Sequence, residues 1–315
     1  MYYILLVLGF ILLIKGADFF VDGASSIAKL LKVPPVLIGL TIVAFGTSSP
    51  EGAVSIRAAI NGNNGLSLGN IIGSNMFNMS LVIGIAAIII PLKVEMQTIK
   101  KEIPFTLLAA IVVEILMADV FLNKQDTNML SRSDGLVLLC FFIIFMYYLF
   151  EVAMKSRENY EEEFHEVSKG KSIIYTIAGL IAILVGGDLV VKSSSKIALA
   201  FGMSETLVAI TIVSLGTSLP ELITCVTAAR KGYSDMAVGN IVGSNIFNTL
   251  FVLGTSATIN PLVVESGLNI DVGFMVIYTF LLLIFSILHY KIVRWEGALL
   301  VLSYGGYIVY VLGNK

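Results

Sequence analysis

The chain has 315 residues, 57% of them hydrophobic and 13% charged, with a net charge of −2 and two cysteines. Its mean hydropathy is +0.92. A soluble domain carries about 25% charged residues, so these figures exclude an ordinary soluble domain, and the slightly acidic balance gives no reason to expect a nucleic-acid partner.

Ten apolar stretches follow one another, at roughly 2–25, 35–60, 66–90, 103–121, 133–153, 173–200, 205–229, 236–260, 269–288 and 297–312. Each approaches the ~20 residues that cross a bilayer as helix. None alternates in the ~10-residue segments of a membrane barrel. The first, "MYYILLVLGFILLIKGADFF", lacks a basic leader and a short small-residue cleavage site, so it reads as a membrane helix rather than a cleaved signal.

The second stretch carries "GTSSPE" (Gly46–Glu51) at mid-span. Pro50 has no N–H and clashes with the preceding turn, so the helix is expected to break near Gly46–Ser49. The break should free carbonyls at Ala44 and Phe45 and leave the Thr47 and Ser48 hydroxyls at the gap. Glu51 then begins the second half-helix. The third stretch carries "GNIIGSNMFN" (Gly69–Asn78), where Ser74 and Asn78 are four apart and share a helix face. Gly69 and Gly73 form a small-xxx-small pair that allows close helix approach.

Later elements are plainer. Glu114 in the fourth stretch is expected to be a local structural group. Tyr and Phe in the fifth and tenth stretches read as lipid-facing or interfacial. "MKSRENYEEEFHEVSKGKS" reads as a solvated linker, too short to hold a folded domain. Cys140 and Cys225 read as inert buried thiols. His165 and His289 fall in loops or at a helix end. Asp18 and Asp188 read as capping or interface groups near segment ends, Lys15 as the neutraliser of Asp18, and Glu95 and Glu265 as solvated ends.

A shift of 170 residues aligns Gly16–Glu95 with Gly186–Glu265 without a gap, with 34 of 80 positions identical. "GTSSPE" meets "GTSLPE" (Gly216–Glu221) and "GNIIGSNMFN" meets "GNIVGSNIFN" (Gly239–Asn248). A weaker echo pairs "RSDG" at Arg132 with "RWEG" at Arg294. The chain is an internal duplication. The sixth helix corresponds to the first, and an offset of five spans brings the second copy in from the opposite side of the membrane, the plan of many secondary transporters. The expected fold is an all-α integral membrane protein of ten transmembrane helices. It comprises two inverted five-helix repeats, with helices 2, 3, 7 and 8 broken or kinked near the midplane. The boundaries are 1–155, a linker at 156–172, and 173–315.

One face of this topology holds 13 Lys and Arg and the other six, with Lys15 unassigned. The positive-inside rule makes the richer side, with the linker, cytoplasmic and both termini extracellular.

In the second copy the polar roles fall to the Ser214 and Leu215 carbonyls, Thr217, Ser218, Glu221, Ser244 and Asn248, with Gly239 and Gly243 as its small pair. Where the two breaks meet, two carboxylates, two amides, hydroxyls and carbonyls come together. This donor set is hard and oxygen-rich, suited to Ca2+ and, by the same logic, Na+. Zinc and copper prefer nitrogen and sulfur. Two glutamates supply −2, the countercharge of one Ca2+. A single buried Glu beside hydroxyls is as well explained by structure. A carboxylate at mid-span costs about 2.5–3.5 kcal/mol, and its repetition at matched positions turns the reading to a functional site. No catalytic residue and no resident cofactor is expected; the partners are the two ions and the bilayer.

At these residues the chain resembles the cation/Ca2+ exchanger superfamily, in its prokaryotic sodium/calcium exchanger branch. "GTSSPE…GSNMFN" and "GTSLPE…GSNIFN" look like that family's two α-repeats. The resemblance implies a ten-helix antiporter working by alternating access, with helices 1 and 6 sliding against the rest, exchanging three Na+ for one Ca2+ and extruding Ca2+ across the plasma membrane. It implies Glu51 and Glu221 as carboxylates shared by both ions, and Thr47, Ser48, Thr217 and Ser218 as hydroxyl or carbonyl ligands. Ala44 and Ser214 would give carbonyls at flanking sodium sites, and Ser74, Asn78, Ser244 and Asn248 would complete the shell. Some relatives carry Asp where this chain has Asn78 or Asn248, which weakens the case for K+ co-transport and puts the sodium stoichiometry in doubt. The alternatives are an H+/Ca2+ antiporter, whose branch usually shows a "GNAxE"-like motif, a K+-dependent exchanger, and a cation channel. An intramembrane protease lacks its matched Asp pair or "HExxH".

Overall fold

A computed structural model describes residues 2–158, 168–203, 214–265 and 267–313. Most of the linker, with His165, and the first part of the seventh apolar stretch lie outside the described residues. Helix α1 spans Tyr2–Leu31. Helices α2 (Pro35–Thr47) and α3 (Ser49–Ile60) meet at 51°. Then come α4 (Asn64–Ile89), α5 (Ile103–Leu116) and α6 (Arg132–Glu158). The second half holds α7 (Lys169–Ala200), α8 (Ser214–Thr217), α9 (Leu219–Arg230), α10 (Ser234–Ile259), α11 (Leu268–His289) and α12 (Arg294–Gly313). Among the described residues, α1, α4, α6, α7, α10 and α11 are each long and apolar enough to cross a membrane, and α2 with α3 makes a seventh span if counted together. The fourth apolar stretch does not run as one helix to 121. It stops at Leu116, and Asp119 opens a separate turn whose carboxylate accepts from Met129 N and Asn123 Nδ2.

The motif helices are central. In their most apolar windows, α4 and α10 are 78% and 89% buried, against 17% for α6. Each also widens into a π-turn just after its motif, at Asn78–Val82 and Phe247–Val252, a local distortion frequent at functional sites.

Glycines set how closely the elements approach, and they do so across the duplication. Helices α1 and α7 pack antiparallel: Gly9 lies against Gly186 O and Val190, Gly16 against Gly179 O and Ile183 N, and Gly23 against Thr176 and Ser172 O. Any Cβ at these positions would overlap backbone, so the stripe requires glycine. In the same way Gly84 packs on Gly297 O, and its copy Gly254 packs on Gly135 O. Two short antiparallel strand pairs repeat the exchange. Strands β1 (Leu92–Lys93) and β4 (Lys291–Ile292) pair, as do β2 (Met129–Leu130) and β3 (Leu262–Val263). The echo of "RSDG" in "RWEG" marks one helix start used twice. Asp134 Oδ2 accepts from Ser131 N at 2.8 Å, and Glu296 Oε2 from Val293 N at 2.8 Å. Each half therefore completes the other.

Several peripheral expectations are corrected. Asp18 and Asp188 lie within long helices rather than near their ends, and Asp18 is paired with Lys231 (3.5 Å), not Lys15, because the turn after α9 brings that lysine over α1. Lys231 also holds Asp22 at 2.7 Å, while Asp188 pairs with Lys192 in its own helix at 2.8 Å. Cys140 is exposed, on the outward face of peripheral α6; Cys225 is buried. Phe145 and Tyr304 face inward and are buried, whereas Tyr147 and Phe150 are exposed. Glu95 is half-buried rather than solvated, and the Asp235 and Glu102 charges lie near it. Glu265 is exposed and lies over Gly65.

Candidate cation site

The break between α2 and α3 falls on Ser48 (φ −84°, ψ 4°), and that between α8 and α9 on Ser218 (φ −92°, ψ 7°). Pro50 and Pro220 sit in the first turns that follow, where a missing N–H costs no intrahelical bond. One turn of ladder is lost within the expected Gly46–Ser49 stretch, but the loss does not reach Ala44. Ala44 O still accepts from Ser48 N at 3.0 Å. The carbonyl stranded by Pro50 is Gly46 O, four residues before it, and Ser49 Oγ takes it at 2.8 Å. The expectation of an unpaired Ala44 carbonyl is thus corrected.

The breaks place Glu51 and Glu221 in helical first turns, where a carboxylate meets the positive end of the helix dipole. Both are essentially inaccessible, at 1% and 0% exposure. They are tied crosswise. Ser48 Oγ donates to Glu221 Oε1 at 2.9 Å, and Ser218 Oγ donates to Glu51 Oε1 at 3.3 Å. The Thr47 and Thr217 hydroxyls join the same crossing, toward Glu221 and Glu51 respectively. Thr47 Oγ1 also lies 3.1 Å from Val43 O and 3.2 Å from Asn240 Oδ1.

Around this pair sit the residues of α4 and α10. Ser74, Asn78, Ser244 and Asn248 are all buried. Ser244 Oγ lies 3.5 Å from Ala44 O. Gly239 and Gly243 let α10 close on α2, with Val36 O and Leu40 O against them. Gly69 and Gly73 have nothing against them among the described residues; the segment matched to α2 lies outside those residues up to 213. Ser214 opens α8, and its side chain is likewise outside them. Phe45, Phe247 and Phe251 stack beside the α2 break at centroid distances of 4.7 and 5.0 Å, an apolar wall.

The site is under-satisfied in one consistent way. Among the described residues, Glu51 Oε2, Glu221 Oε2, Asn248 Oδ1 and both amide atoms of Asn78 are buried with no hydrogen-bond partner. Buried polar atoms are almost always paired, and most of these are acceptors. Such a cluster presents oxygen to a cation. Among the described residues no group of three or more His, Cys, Asp or Glu side chains could hold a metal ion, so the donors here are carboxylate, hydroxyl and amide.

Sequence reasoning passed over several polar residues of this layer. Asn70 Nδ2 donates to Glu51 O (3.2 Å) and Ser55 Oγ (2.8 Å), bracing α3 against α4. Asn75 Nδ2 donates to Thr249 Oγ1 at 2.7 Å. The signal for the asparagines was available, since Asn70 and Asn75 recur as Asn240 and Asn245.

The sodium/calcium exchanger protein family matches residues 1–151 and 171–313. The chain belongs to the sodium/calcium exchanger family. It is 34% identical over 340 residues to the sodium/calcium exchanger MaX1 of Methanosarcina acetivorans, covering 98% of this chain and 97% of that one. It is 34% identical over 266 residues to the inner membrane protein YrbG of Escherichia coli, covering 82% and 79%. A solved structure of the sodium-calcium exchanger NCX_Mj, soaked with 10 mM Na+ and zero Ca2+, superposes with a TM-score of 0.83 at 35% identity, covering 98% of each chain. This exchanger is therefore an all-helical, multi-pass membrane protein of a transporter family.

Proposed function

We propose that this exchanger is a secondary antiporter that moves Na+ against Ca2+ by alternating access and extrudes Ca2+ with the energy of the Na+ gradient. The crossed Ser48–Glu221 and Ser218–Glu51 bonds carry this reading. They put one carboxylate from each half, buried and with an oxygen to spare, at one place. Glu51 and Glu221 are the shared charged ligands. Thr47, Ser48, Thr217, Ser218, Ser74, Ser244, Asn78 and Asn248, with the Ala44 and Ser214 carbonyls, replace the hydration shell. A −2 site matched to one Ca2+ cannot hold Ca2+ and a full set of Na+ together at low electrostatic cost, so occupancy by the two ions is mutually exclusive.

The architecture proposed for this task has ten spans in two inverted five-helix repeats, 1–155 and 173–315, joined by the linker at 156–172. Helices broken at mid-span let the two ions be reached from either side in turn. The excess of Lys and Arg on the linker side supports a cytoplasmic linker and extracellular termini in the cell membrane.

Proteoliposomes loaded with Na+ and diluted into Na+-free medium test this reading. Na+ efflux should drive 45Ca2+ uptake, and Glu51→Gln or Glu221→Gln should abolish it. Uptake driven by a pH gradient and indifferent to Na+ would assign the protein to proton exchange instead.

A further inference from the structure

The duplication supplies its own control, because matched residues can be compared at +170. Around the site, Ser74, Asn75 and Asn78 recur as Ser244, Asn245 and Asn248. The next matched pair differs: Met79 in the first copy and Thr249 in the second. That single difference reorganises the amides. Asn75, 1% exposed, donates through Nδ2 to Thr249 Oγ1 at 2.7 Å, with Met275 Sδ also 3.5 Å away. With its Nδ2 fixed by this bond, Asn75 turns Oδ1 toward Asn248 and accepts from Asn248 Nδ2 at 3.3 Å.

In the first copy the chain of bonds is missing. Position 79 offers a thioether instead of a hydroxyl, and Asn245 Nδ2 turns back to Ile241 O in its own helix at 3.1 Å. Among the described residues Asn245 Oδ1 is left without a partner, and so are both amide atoms of Asn78. The two amides matched across the duplication are therefore unequal. Asn248 has its nitrogen occupied and, among the described residues, its oxygen buried and unpartnered. Neither atom of Asn78 is tied by such a bond, so its Oδ1 can turn toward or away from an ion.

We propose that Asn75, anchored by Thr249, is a positioning residue that orients Asn248 Oδ1 as a preformed ligand for the transported cation, while Asn78 remains the adjustable amide of the site. This rests on the exchange reading above. A group that fixes the orientation of a ligand without touching the ion lowers affinity by about tenfold or more when removed. The selectivity of the exchanger should then depend on a hydroxyl that the first copy lacks.

The test uses the full chain in proteoliposomes, with the Ca2+ KM, the kcat and the Ca2+/Sr2+ preference of Na+-driven uptake as readouts. Thr249→Val removes the hydroxyl at nearly constant shape, and Asn75→Leu removes the amide. Each should raise the Ca2+ KM by about tenfold and shift the Ca2+/Sr2+ ratio while leaving kcat largely in place. Thr249→Ser should restore the parental KM, and the Asn75→Leu/Thr249→Val double variant should be no worse than either single one. Asn245→Leu, which breaks only a bond within its own helix, should leave the Ca2+/Sr2+ ratio at the parental value. If Thr249→Val keeps the parental KM and ratio while Glu51→Gln abolishes uptake, the positioning role is wrong and the site stands. If Glu51→Gln also retains exchange, the site assignment itself has failed.

Discussion

Glu51 and Glu221 share a buried site with two hydroxyls that each reach across to the other half of the chain. A hydrogen bond to a charged group is worth about 1.5–3 kcal/mol, so Ser48→Ala and Ser218→Ala should each raise the Ca2+ KM of Na+-driven uptake by about tenfold or more. The effects should be similar, because the two bonds are copies of one another; a parental KM in both variants would count against the crossing. Asn78→Asp and Asn248→Asp should retain Ca2+ binding but make uptake newly pH-dependent, since each adds a titratable group to a pair that already balances one divalent ion. Away from the site, Glu95 shows a separate effect. Burial, and then the Asp235 and Glu102 charges, push its carboxyl up to about 7 from an ordinary value of 4.5. A carboxyl raised in the folded state gives stability that is full below its unfolded value and is lost as pH climbs through the folded one. Thermal unfolding in detergent should therefore show a midpoint that falls between about pH 5 and about pH 8, and Glu95→Gln should flatten that slope.

At the scale of elements, the glycine stripe between α1 and α7 fixes how the two matched helices meet. A Cβ on Gly179 would lie 2.4 Å from Phe20 N. Gly179→Val should destabilise by about 1–3 kcal/mol through overpacking, read as a lower unfolding midpoint. Gly273→Ala, with nothing within 4 Å of the added carbon, should be neutral or gain up to about 1 kcal/mol of helix propensity. Equal losses in both would overturn the stripe as a packing device. The elements also show what the sequence can disclose. Hydropathy and the 170-residue repeat place the helices, and Pro50 and Pro220 place the breaks, because those signals are local. Whether the break also frees Ala44 O could not be read at the same precision, since it depends on whether Ser48 N keeps its bond to that carbonyl. The pairing of Asp18 with Lys231 rather than Lys15 was equally hidden, because it joins residues 213 apart in the chain. Thr249 was missed for the opposite reason: attention to matched positions passes over those that fail to match.

At the scale of the whole molecule, the described residues form two copies of one plan, joined by contacts that cross from each half to the other. Gly84 rests on Gly297 and Gly254 on Gly135, and each strand pair joins one half to the other. Its central claim is that two half-motifs make one cation site. If three Na+ exchange for one Ca2+, one net charge crosses per cycle, worth about 2.3 kcal/mol per 100 mV. An inside-positive potential, which favours the one positive charge that leaves per cycle, should then speed Ca2+ uptake into Na+-loaded vesicles, and voltage-independent rates would exclude that ratio. The most direct measurement is equilibrium 45Ca2+ binding to the purified chain, titrated with Na+. The account predicts one Ca2+ per chain, displaced completely by Na+, and no high-affinity binding in either Glu51→Gln or Glu221→Gln alone. Parental Ca2+ binding in either single variant, or binding that Na+ fails to displace, would contradict a single site shared between the two halves.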